Sequence, residues 1–87
     1  MSNLDILKLN YNNVKNDFKN QYVDPYVALI EIESISKKLM SIIQHEQNLS
    51  QTAVNLLYYV NKLKEEIQHE IKRLEKEVLL NSNDHEI

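Results

Sequence analysis

Ala53, Leu56, Val60, Leu63, Ile67, Ile71, Leu74 and Val78 recur at steps of three and four, so one face of a helix over residues 50–80 is apolar throughout. Such a helix spans about 46 Å at 1.5 Å per residue. The step of four from Ile67 to Ile71 follows another four, a stutter that locally unwinds a left-handed coiled-coil seam and excludes a plain heptad repeat. The rest of the chain reads as packing against this segment.

Leu4, Leu7, Tyr11, Val14, Phe18 and Tyr22 keep the same spacing, which predicts a first amphipathic helix over residues 4–22. Its five asparagines at 10, 12, 13, 16 and 20 are poor helix formers, so burial must hold it. Asp24 and Pro25 mark a restart, with Asp24 as N-cap and Pro25 at the first helical position, where a missing N–H costs nothing. The second helix, over 25–46, carries Ala28, Ile32, Ile35, Leu39 and Ile42 on one row, with Leu29, Met40 and Ile43 beside it. That stripe is wide enough to touch two neighbours. The pattern thins from Gln44 to Ser50, where Asn48 tolerates a left-handed backbone and Ser50 offers an N-cap; an antiparallel reversal fits there. One unbroken helix from Pro25 to Leu80 is the alternative. Residues 81–87 are polar and read as a frayed tail. The expectation is one all-α domain over 1–87, an up-down-up three-helix bundle or a helical hairpin with a long, overhanging C-terminal helix.

Stacking the helices places Phe18 and Tyr22 near Ala28 and Ile67, and Leu4 and Leu7 near Ile42 and Leu56. Cover then ends at about Ile71, which leaves Leu74, Val78, Leu79 and Leu80 on an overhang, a stripe of the kind that marks an interface. Leu56, Leu57, Tyr58, Tyr59 and Val60 are five consecutive apolar or aromatic positions and so occupy every side of the helix. With Leu56 and Val60 turned inward, Tyr58 must face outward and Tyr59 must sit at the edge. Tyrosine suits a partner-facing surface. The candidate partner-binding residues are therefore Tyr58, Tyr59, Leu74, Val78, Leu79 and Leu80.

Composition narrows the class. The chain of 87 residues has no glycine and a single proline, which favours long helices, and at this size oligomerisation often supplies missing burial. A net charge of −3 gives no general attraction to nucleic acid or anionic lipid. The absence of cysteine excludes disulfides, thiol catalysis and zinc-thiolate sites. No stretch reads as a membrane span or an ordinary signal peptide, and a cytoplasmic protein is expected.

Chemistry-bearing constellations are sparse. Glu66 and His69 form a Glu-x-x-His step, half of a di-iron site, but such a site needs a second copy and two more glutamates. The solvated reading is a surface Glu–His pair beside Arg73. No two histidines lie three or four apart, so no zinc pair forms on one helix. Glu65 and Glu66 point to different sides, without the convergence that acid–base catalysis needs. Lys62, Lys64, Lys72, Arg73 and Lys76 alternate with glutamates and pair at i,i+4, as Lys62–Glu66 and Arg73–Glu77 do, the pattern of a solvated or coiled-coil flank. No enzyme, cofactor, metal or small-molecule substrate is expected.

The stretch Leu7-Lys8-Leu9-Asn10-Tyr11-Asn12-Asn13-Val14 resembles the start of small helical proteins that accompany LXG-type toxins in type VII secretion. The resemblance implies a helical hairpin that pairs with a toxin's N-terminal helices and is exported with them. Two features depart from it: there is no Trp-Xaa-Gly turn, and no Tyr or His is followed four residues later by Asp or Glu. An export signal of that type would then come from the partner.

The function expected is a non-enzymatic interaction protein, binding a helical client or a second copy of itself, with a secretion partner or chaperone as one version. The alternative is a small phage-borne or immunity-type regulator that inhibits a target by occluding its surface.

Overall fold

The computed structural model describes residues 2–45 and 50–85, with side chains as far as Leu80. Three helices follow in order, α1 Asn3–Lys19, α2 Pro25–His45 and α3 Gln51–His85. The fold is all-α, with a C-terminal helix of 35 residues far longer than its neighbours of 17 and 21. Cross-helix ties fix the up-down-up directions. Lys19 meets Glu66 while Lys8 and Thr52 share a groove, so α1 runs parallel to α3. Tyr26 meets Glu75 and Glu33 meets Lys64, so α2 runs antiparallel to it.

The helix boundaries have local causes. Ser2 and Asp5 form a capping box: Asp5 N–H donates to Ser2 Oγ at 3.2 Å and Ser2 N–H donates to Asp5 Oδ2 at 3.4 Å. The first helix therefore begins a residue earlier than its apolar spacing suggests. It also stops at Lys19, not at Tyr22. Tyr22 N–H donates to Asp17 O at 2.8 Å and Gln21 N–H to Phe18 O at 3.2 Å, a Schellman closure with Gln21 in the left-handed region at φ 61°. This closure swings Tyr22 out of the apolar row to 80% exposure, and Val23 packs against the core instead.

Asp24 caps α2 as its position implies. Its Oδ1 accepts from Tyr26 N–H at 2.8 Å and its carbonyl accepts from Ala28 N–H at 2.9 Å. The chain reverses between α2 and α3, so no single rod runs from Pro25 to Leu80. Asn48 lies outside the described residues, while Ser50 O accepts the first helical bond of α3 from Val54 N–H at 3.1 Å. The backbone of α3 continues through 81–85, five residues beyond the expected end. Of the tail expected over 81–87, residues 81–85 have helical backbone, and residues 86–87 lie outside the described residues.

The core is aliphatic apart from Tyr11. Leu7, Tyr11 and Val14 of α1, Ala28, Ile32, Ile35 and Leu39 of α2, and Ala53, Leu56, Val60, Leu63, Ile67 and Ile71 of α3 are buried. Leu4, Phe18, Leu29, Ile42 and Ile43 close its edges, whereas Met40 is exposed. Each fully buried Ile, Leu or Val contributes roughly 1.5–3 kcal/mol. Among the described residues no polar or charged side chain is buried.

Candidate interaction surfaces

Leu56 and Val60 are buried while Tyr58 and Tyr59 are 55% and 53% exposed, so the inner and outer faces of α3 fall where the sequence places them. The two tyrosine rings meet edge to face, 5.4 Å between centroids and 74° between planes, a favoured aromatic geometry. Lys62 Nζ stands 5.2 Å from the centroid of the Tyr58 ring. Its expected i,i+4 partner was Glu66. Glu66 instead pairs with Lys19 of α1 at 2.8 Å, because α1 ends beside it. Glu66 and His69 are both exposed, and among the described residues no cluster of three or more acidic or histidine side chains could hold a metal ion.

Tyr59 lies on the edge of a groove of about 390 Å³ between α1 and the start of α3, together with Lys8, Tyr11, Asn12, Lys15, Thr52, Asn55 and Leu56. The groove's charged residues are both lysines. Burial raises the pKa of the Tyr11 hydroxyl above its usual value, and the nearby Glu66 carboxylate raises it further.

The overhang starts later than the sequence implies. Leu74 is half-buried and lines a cleft of about 640 Å³ with Phe18, Val23 and Pro25. Residues 21–25 of the α1–α2 connection line that cleft together with Glu70 and Leu74, so one more turn of α3 has a neighbour. Tyr26 O–H donates to Glu75 Oε1 at 3.0 Å, and this bond raises the tyrosine's pKa. Val78, Leu79 and Leu80 lie beyond that point, exposed by 63%, 65% and 57%. Arg73 braces this part of α3 from its own surface, through Glu70 and through Glu77 at 2.6 Å. Those bonds lower the Glu70 pKa and raise that of Arg73.

The structure therefore sets Tyr58 beside Tyr59 and Val78 beside Leu79 and Leu80, but holds the two groups apart: the 21 steps from Tyr58 to Leu79 span about 32 Å of helix. It also exposes apolar side chains missed in the sequence, Tyr26, Val27 and Ile30 on α2 and Ile6 and Leu9 on α1. Residues 26–30 are five consecutive apolar positions, the same signal that singled out 56–60.

No helix among the described residues is long and apolar enough to cross a membrane. No family model, curated protein or solved structure matches the chain.

Proposed function

We propose that this chain is a non-enzymatic helical interaction protein whose partner covers the outer and distal surfaces of α3. The observation that carries this reading is the run Val78, Leu79 and Leu80, each more than half exposed on a helix that outlasts the body of the bundle. Three large aliphatic side chains held in water are unfavourable for an isolated protomer, and because they follow one another around the helix a partner that wraps or flanks this end of α3 would cover them. Tyr58 and Tyr59 supply aromatic area of the kind that anchors interfaces. A toxin's helices are one candidate client, a version that rests on the resemblance of residues 7–14 alone.

Replacing Val78 and Leu79 by glutamate tests the reading. The doubly substituted chain is expected to keep its helical circular dichroism and to lose the partner that the unaltered chain retains in a pull-down. Equal recovery of that partner by both chains would overturn it.

A further inference from the structure

We propose that a second copy of this chain packs antiparallel along α3, with Lys62 of each protomer facing Glu77 of the other. This rests on the interaction reading above and names its partner.

Tyr59, Lys62, Glu66, Arg73, Glu77 and Leu80 are all exposed and follow one another at steps of three, four or seven, so they form a single stripe along α3. The order of chemical types along that stripe is aromatic, plus, minus, plus, minus, aliphatic. Reversed and laid against itself, each of these six residues meets its complement, with His69 and Glu70 at the centre: Tyr59 faces Leu80, Lys62 faces Glu77, and Glu66 faces Arg73. A two-fold axis repeats each pair, giving four ion pairs flanked at both ends by an aromatic–aliphatic contact. Such an interface is isologous and closes at two copies. A parallel pairing in register would set like charge against like charge.

The same arrangement unites what one protomer holds apart. Tyr59 and the overhang lie at opposite ends of α3, and only an antiparallel second helix brings the overhang of one copy to the tyrosine end of the other.

Lys19 already holds Glu66, and Glu70 and Glu77 already hold Arg73. The second copy thus adds to charges that are positioned before it arrives, which lowers the entropy lost on association.

The test uses the full chain and two charge reversals, Lys62→Glu and Glu77→Lys, with mass measured by light scattering across a concentration series. The unaltered chain is expected at twice the 10.3 kDa protomer mass. Each variant alone places like charges opposite one another and is expected to dimerise at least about tenfold more weakly. Mixed in equal amounts, the two variants restore opposite charges at both sites and are expected to dimerise with each other. Circular dichroism verifies that each remains folded. A chain that stays monomeric, a dimer indifferent to both reversals, or a mixture that fails to recover would overturn the proposal. A monomeric chain that still captures a partner through Val78 and Leu79 would overturn this pairing and leave the broader interaction reading standing.

Discussion

The Tyr26 hydroxyl donates to Glu75 across 49 residues of sequence, at 3.0 Å. Among the described residues it is the hydrogen bond furthest along α3 that ties this helix to another. Because Glu75 stabilises the protonated phenol, the Tyr26 pKa is raised, so this contribution is complete below the ordinary tyrosine value of 10.0 and is lost as pH rises through the folded value. Tyr26→Phe is expected to remove a late step from the alkaline absorbance titration and to speed amide exchange near residues 72–76. Unchanged exchange would show that packing of Leu74 alone secures this turn.

Asp24 supports α2 through two bonds, one from its side chain and one from its carbonyl. Alanine removes the first and keeps the second. Asp24→Ala is expected to lower stability by about 1 kcal/mol, read from denaturant midpoints with an unchanged slope.

Leu56 is buried, and Tyr58, two residues on, is more than half exposed. Leu56→Ala opens a cavity and is expected to cost about 2–5 kcal/mol of protomer stability. Tyr58→Ala should leave protomer stability nearly intact and weaken association instead. Unfolding of the protomer by Tyr58→Ala, with association strength unaltered in what remains folded, would reverse the assignment of the two faces.

Gln21 closes α1 with φ at 61°, where its Cβ is crowded. Glycine removes that crowding, so Gln21→Gly is expected to stabilise the chain by up to about 1 kcal/mol after its greater freedom in the unfolded state is counted. Gln21→Val should destabilise it, because a β-branched residue suits that region least. Thermal unfolding of the three chains checks the order.

Period and punctuation carried much of the fold. The apolar row of α3 was legible because six of its eight positions are buried, and Asp24–Pro25 was legible because cap and proline agree. The end of α1 was not legible. The apolar spacing continues to Tyr22, while the stop is made by backbone bonds around a glutamine that carries no turn signal. Leu74 was misplaced because its cover depends on the path of the α1–α2 connection, which spacing along α3 does not encode. Lys62 shows a further limit. Tyr58 and Glu66 lie four residues to either side of it, so sequence offers both, and the arrival of Lys19 at Glu66 coincides with Lys62 turning to the ring.

The interior of this bundle contains no buried polar or charged side chain among the described residues, only aliphatic groups and Tyr11. An interior of that kind is a degenerate code. Ile, Leu and Val can exchange there at modest cost if volume is kept, so many spellings would specify the same three helices. What individualises this chain is therefore written on its outside, in residues such as Tyr59, Lys62, Glu66, Arg73, Glu77 and Leu80, where an exchange of letters would leave the fold standing and, in the pairing proposed above, change what it binds.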